Sequence, residues 1–288
     1  MADHKHVSGV HGDASSHWVG DGFPVRTLLP SQGVPELSPF LLLDYAGPAR
    51  FEPSDRPRGV EEHPHRGFET VTIVYQGSVD HRDSAGHAGT IHPGDVQWMT
   101  AASGVVHEEM HGREFTAQGG VFEVVQLWVN LPAAHKMSPP RYQSLGSGEI
   151  SRVELGPGAF GRVISGSLNG VAGPARTFTP VNVFDVRLEE GASGRLSLPE
   201  GHNAAVVLLR GDAAVNGVAL RGEALIATLS PTGEAVELEA GSPALLLILS
   251  GQPIDEPVAR YGPFVMNTEA ELRQAFADYR AGRMGTLP

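Results

Sequence analysis

The sequence predicts an all-β protein built of two antiparallel β-barrels, with a short α-helix near the C-terminal end. Three observations lead there. Glycine (36) and proline (22) make up about a fifth of the 288 residues, which suits many short strands joined by tight turns. Two blocks of apolar runs, one within Ser38–Asn130 and one from Val181 to Leu249, repeat a rhythm of strand, Gly-Asp turn and strand, the mark of a duplicated unit. The last stretch changes its apolar period from two to about 3.6.

In the first block, Val71, Ile73 and Tyr75 alternate with Thr72, Val74 and Gln76 before stopping at Gly77, so a strand is expected. Val124 to Leu131 is nearly continuous apolar sequence, as in a strand covered on both faces. Asp83 to Gly86, Ala88-Gly89 and His92 to Asp95 carry turn chemistry. Pro132 to Gly148 is polar, with Pro139-Pro140 and Gly146-Ser147-Gly148, and reads as a linker. The second block supplies Val181–Leu188, Ala204–Leu209 running into the turn Arg210-Gly211-Asp212, Leu225–Leu229 and Leu245–Leu249. At the end, Thr268 to Glu271 is a capping box, Leu272, Ala275, Phe276 and Tyr279 recur at helical spacing, and Gly282 is the expected stop. The boundaries that follow are 1–135 for the first barrel, 136–150 for the linker, 151–260 for the second barrel and 261–288 for the segment with the helix.

Composition excludes several function classes. A net charge of −12, with no Lys/Arg run, argues against direct nucleic-acid binding. The absence of cysteine removes disulfides, thiolate metal sites and a cysteine nucleophile. The N-terminus is polar and histidine-rich without an apolar core, and the longest apolar run, Ala244–Leu249, is too short to span a bilayer. The expectation is a cytoplasmic protein with no membrane partner.

The chemistry is expected between His63 and Glu109. His63-Pro64-His65 and His107-Glu108-Glu109 each hold candidate ligands two residues apart, the spacing that puts side chains on one face of a strand. Two such strands facing each other would aim three imidazoles and a carboxylate at one atom, a donor set suited to a divalent transition metal with open positions. With thirteen histidines, chance pairs also occur, and His4 and His6 read as a solvated pair in a loose terminus. By counting, Glu69 and Glu109 both have the parity to face the site. His81, His87, His92 and His111 read as loop or rim residues, with His111 able to hydrogen-bond near the site. Trp98 and Trp128 read as core aromatics, whereas Gln126, Met99 and Phe68 are candidates to line a cavity.

The order His-x-His, Glu69, Gly77, then Pro93-Gly94-Asp95, then Gly104 to His107 resembles the cupin superfamily. The spacing to Gly77 is longer than the pattern by one residue, Ala102 stands where a proline is usual, and the second motif carries two extra residues. The longer segments HPHRGFETVT, GDVQWMTAASGVVHEEM, QLWVNLP and YGPFVMNT, with WVGDGFPVR and SPFLLLDYAGP before them, closely resemble the pirin family. The resemblance spans nearly the whole chain and is weakest from Ser151 to Gly251. It implies a bicupin with its metal in the N-terminal barrel, and the single histidine of the second block, His202, fits a barrel without a site. It also implies His63, His65, His107 and Glu109 as ligands, with Glu69 behind them orienting a histidine and Glu108 pointing away. Fe(II) is the implied ion, with other divalent transition metals open. The implied activity is that of a dioxygenase cleaving flavonols such as quercetin, with Glu109 as the base. The alternative is an iron-binding, redox- or metal-sensing regulatory protein acting through protein partners, none of which the sequence identifies.

Overall fold

Short runs of alternating side chains, bounded by glycines at positive φ, make this chain mostly strand. The computed structural model describes residues 3–12 and 14–287. It holds two cupin-type units, but their sheets stack as β-sandwiches and do not close into the expected barrels.

The histidine-bearing unit comprises Ser15–Thr27, Leu41–Ser147 and Ile254–Pro288. Its larger sheet runs, in spatial order, Arg141–Leu145, Val96–Thr100, Phe68–Gln76, Gly120–Asn130, Phe40–Phe51, Phe23–Leu29 and Ser16–Val19. The smaller sheet runs Gly59–His65, Val105–His111, Val79–Asp83 and Ala88–Ile91. Phe23, Val25, Phe51, Val74, Phe122 and Val124 belong to the apolar core of this unit. Pro132 to Gly148 is not a free linker: Tyr142 and Leu145 lie on a strand that pairs with Val96–Thr100, and Lys136 is buried. The prolines bound this strand without preventing it, and Tyr142 packs on a buried cluster of Met99, Ala101 and Val105.

The same unit is completed by the C-terminal segment. Thr268 accepts from the backbone of Glu271, and Glu271 Oε2 accepts from the backbone of Thr268, closing the expected capping box of the helix Glu269–Arg280. Leu272 and Ala275 pack with Phe264, Met266 and Val106, while Tyr279 remains exposed. Arg66 donates to Asp278 Oδ2 at 2.7 Å and to Ser103 O at 2.7 Å, tying the helix to the residue after His65.

The other unit comprises the described residues of Met1–Ala14 together with Leu28–Phe40 and Gly148–Pro253. Its nine-stranded sheet includes Val7–His11, which pairs antiparallel with Val218–Leu229. The segment Val7–His11 is therefore not a loose tail. Val7 packs against the core, and Lys5 is buried with its ammonium on the carbonyls of Ser230 and Pro231. His4 and His6 are exposed, as expected of a solvated pair. Ala244–Gly251 is buried along its whole length, as its continuous apolar sequence requires. Among the described residues no helix is long and apolar enough to cross a membrane.

Candidate metal centre

Strand pairing brings the two histidine motifs together. Gly59–His65 runs antiparallel to Val105–His111, with His107 opposite His63 and Val105 opposite His65. The ring centroids of the three histidines lie 4.3 to 4.9 Å apart. One ring nitrogen from each of His63, His65 and His107 can be chosen so that all three lie within 4.8 Å of one another, a group able to hold a metal ion. His65 and His107 are buried; His63 is partly exposed.

Hydrogen bonds decide which nitrogens are available. His63 Nδ1 lies 2.7 Å from Glu61 O, and His65 Nδ1 lies 3.4 Å from Pro263 O, a carbonyl supplied by the C-terminal segment. A carbonyl only accepts, so each Nδ1 carries the proton and leaves Nε2 with its lone pair. His107 Nδ1 faces His81 Nδ1 at 3.5 Å. Its Nε2 is buried and finds no hydrogen-bond partner among the described residues. An orphaned acceptor in the interior is costly unless something occupies it. Burial, reinforced by neighbouring imidazoles, pushes His65 and His107 well below the ordinary histidine value, so both are neutral, the form that binds a metal.

The carboxylates separate. Glu109 is on the same face as His107 and is buried, but the histidine cluster does not include it. Its Oε1 accepts from Thr72 at 2.9 Å and Gln97 at 3.4 Å, and its Oε2 from Gln126 at 2.9 Å. Glu108 points away as expected, paired with Arg82. Glu69 does not face the site. The chain turns at Arg66-Gly67, where Gly67 has φ +90, and the parity counted from His65 is lost. In the strand Phe68–Gln76, Thr72 faces Glu109, so Glu69 lies on the opposite face, where it accepts from Thr100 at 2.7 Å with Arg141 at 3.8 Å. Its partners among the described residues include no histidine, and burial raises its pKa to about 7.

Other residues move into the site. His81 is buried rather than at a rim: it stacks on Tyr142 at 5.0 Å, and its Nε2 lies 3.3 Å from Asp83 Oδ2. Burial raises the Asp83 pKa, but the hydrogen bonds from His81 and His87 outweigh it and hold the carboxyl below its ordinary value. Tyr142 donates to Gln97 at 3.1 Å and is pushed up to about 12 by burial and by the charges of Glu109 and Asp83. Phe68 and Trp128 flank His65 at 5.1 and 5.2 Å, so Trp128 lies against the cluster. His111 is remote, its Nε2 donating to Gly22 O within a cage of Phe23, Phe51 and Phe122. A cavity of about 40 Å³ opens beside Glu109, walled by Val19, Phe23, Val25, Ala46 and Val124, with Gln126 and Asp44 as its other polar residues. Asp44 was passed over in the sequence although it lies in the SPFLLLDYAGP segment; burial raises its pKa, partly offset by its bond from Thr27.

Comparison with known proteins gives the family. A model described as Pirin matches residues 22–129, and one described as Pirin C-terminal cupin domain matches 183–285. A Pseudomonas aeruginosa protein provisionally named a quercetin 2,3-dioxygenase is 55% identical over 97% of this chain and 98% of its own length. Pirin of Mus musculus is 37% identical over 92% of this chain and 89% of its own. A crystal structure of quercetin 2,3-dioxygenase from Acinetobacter baumannii matches with TM-score 0.95 and 48% identity, covering 99% of both chains. A bacterial pirin from Escherichia coli, in complex with nickel(II), shares the fold at TM-score 0.63 and 16% identity over 85% of this chain and all of its own. Both halves match pirin models, relatives match over nearly full length, and the motifs that carry the likeness hold the histidine cluster: the chain belongs to the pirin family.

Proposed function

We propose that this protein is a metal-dependent dioxygenase cleaving flavonols such as quercetin, with Fe(II) held by His63, His65, His107 and Glu109. The observation that carries the ligand reading is the set of three imidazoles whose Nδ1 atoms are all engaged, leaving the buried, unpartnered Nε2 of His107 among the free donors. Imidazoles with a carboxylate suit iron, and manganese, cobalt, nickel or copper match the same donors, whereas zinc has no redox chemistry to offer dioxygen. When bound, the ion supplies Lewis acidity and electron transfer towards dioxygen.

The chain's own residues supply the rest. Glu109 takes the proton of the flavonol 3-hydroxyl, its carboxylate aimed by Thr72, Gln97 and Gln126. The apolar side chains of Val19, Phe23, Val25, Ala46 and Val124 lie beside Glu109 and keep water from it. One dioxygen enters, carbon monoxide leaves and an ester remains, so the atoms balance. The names of the Pseudomonas and Acinetobacter relatives support this substrate class. Iron-loaded protein mixed with quercetin is expected to bleach the flavonol band and release carbon monoxide; no turnover with any of these metals would sink the proposal. His65→Ala and His107→Ala are expected to lose stoichiometric metal while remaining folded, and full occupancy in both would overturn the ligand set.

One observation favours a second reading. The cavity of about 40 Å³ is far smaller than the roughly 300–1,000 Å³ typical of small-molecule sites. An iron-binding sensor acting through protein partners needs no flavonol-sized space. A pulldown whose yield differs between ferrous and ferric loading, with no flavonol turnover, would select it.

A further inference from the structure

His63 and His65 have their Nδ1 atoms fixed by backbone carbonyls, but His107 does not. Its Nδ1 meets another imidazole, His81, at 3.5 Å, the long limit of a hydrogen bond. His81 in turn places Nε2 3.3 Å from Asp83 Oδ2. The strand Val79–Asp83 pairs with Val105–His111 so that Asp83 is opposite His107 and His81 is opposite Glu109, all on one face. We infer that Asp83 and His81 are positioning residues, a carboxylate–imidazole chain that locks His107 into the tautomer presenting Nε2 to the metal and strengthens it as a donor. This rests on the ligand reading proposed above.

Proton counting gives the direction of the chain. The Asp83 carboxylate can only accept, so the proton between it and His81 belongs to His81 Nε2. In the tautomer with that proton on Nε2, His81 Nδ1 accepts from His107 Nδ1–H. His107 is left with its lone pair on Nε2, the atom that is buried without a partner.

The outer end is held rigidly. Asp83 Oδ1 accepts from the backbone of Ala85 at 2.9 Å and of His87 at 3.0 Å, and His87 Nδ1 lies 3.1 Å from Oδ2. Tyr142 stacks on both His81 and His87, at 5.0 and 5.4 Å with interplanar angles of 19° and 14°, so neither ring can rotate freely. The His81 side chain is 0% exposed and that of Asp83 is 1%, so water does not compete for these bonds. Burying a carboxylate and an imidazole together is expensive unless both are used. Orienting a ligand and raising its basicity is what such outer groups do at metal sites.

The test uses the full chain with Zn(II) as a diamagnetic probe, its affinity measured by chelator competition and its histidines by ¹⁵N NMR. His81→Phe keeps the ring surface for Tyr142 and removes the acceptor; it is expected to weaken Zn(II) binding about 10- to 100-fold. His81→Gln restores an acceptor oxygen and is expected to recover most of that loss. Asp83→Asn weakens binding about tenfold, at the low end of the range for such groups. In the wild type, His107 should show a hydrogen-bonded Nδ1 proton with Nε2 on the metal, and that proton signal should shift or vanish in His81→Phe. Equal affinities in His81→Phe, Asp83→Asn and wild type would overturn the inference, as would a His107 spectrum unchanged by His81→Phe. If His81→Phe does not fold, Asp83→Asn decides by the same two readouts. A wild-type protein that takes up no divalent ion would instead overturn the ligand reading and the inference with it.

Discussion

Replacing Lys136 with methionine sets two large effects against each other. The buried ammonium donates to Gly67 O at 2.7 Å, Asn130 Oδ1 at 2.6 Å and Val265 O at 3.1 Å, clamping the turn after His65 to the C-terminal segment. Burial lowers its pKa from 10.5 to about 8, against the pull of Glu256 and Glu271. That difference corresponds to about 3 kcal/mol against holding the charge in the folded state. Methionine removes this cost but orphans three buried acceptors, at about 1–3 kcal/mol each. The acceptors win, and Lys136→Met is expected to lose about 3 kcal/mol at neutral pH. The pH dependence provides an independent check. Between about 8 and 10.5 the unfolded chain binds more protons than the folded one at this position, so wild-type stability gains with rising pH through that window. The gap between wild type and variant therefore widens as pH rises. Urea unfolding followed by tryptophan fluorescence, at pH 7 and at about pH 9.5, measures both. A variant as stable as wild type at pH 7, or a gap that does not change with pH, would refute the reasoning.

Glu69→Gln tests a second buried ionisable group. Because the folded pKa of Glu69 is about 7, above its ordinary 4.5, its contribution to stability is present at low pH and is lost as pH rises through 7. The glutamine variant should be more stable than wild type at alkaline pH by up to about 3 kcal/mol, read from denaturant midpoints. Asp278 behaves oppositely: hydrogen bonds from Arg66, Arg283 and Gln274 hold its carboxyl well below 3.8, so its contribution is present above that value and is lost on acidification. Asp278→Asn should therefore flatten acid sensitivity between about pH 4 and 2, measured by thermal melts. Glu109→Gln keeps the shape and removes the base; flavonol cleavage should fall by about 10²–10⁴, while chelator competition still detects metal on the three imidazoles.

The sequence revealed strands wherever apolar alternation was strong, as in Phe68–Gln76 and Ala244–Gly251, and the capping box located the final helix. The histidine cluster was legible because its spacing lies within strands, where parity survives. Parity failed for Glu69 because a positive-φ glycine separates it from His65. His81 and Asp83 were missed because Val79–Asp83 is short and mostly polar, so its sequence looks like turn rather than strand. The strand Val7–His11 was missed for a different reason: its partner lies more than two hundred residues away, and no local pattern announces such pairing. Pro263, whose carbonyl faces His65, could not have been found from chemistry-bearing residue types, since it contributes only backbone.

That carbonyl has a consequence for the order in which the site can be assembled. Its histidines occupy the first half of the chain, yet the acceptor that orients His65 emerges from the ribosome only after Gly148–Pro253 of the second unit has been made. Until then Lys136 lacks its acceptor at Val265 O, and His65 Nδ1 lacks its carbonyl partner. In a nascent chain, therefore, the carbonyl that sets the His65 tautomer is supplied only by sequence that follows the second cupin unit.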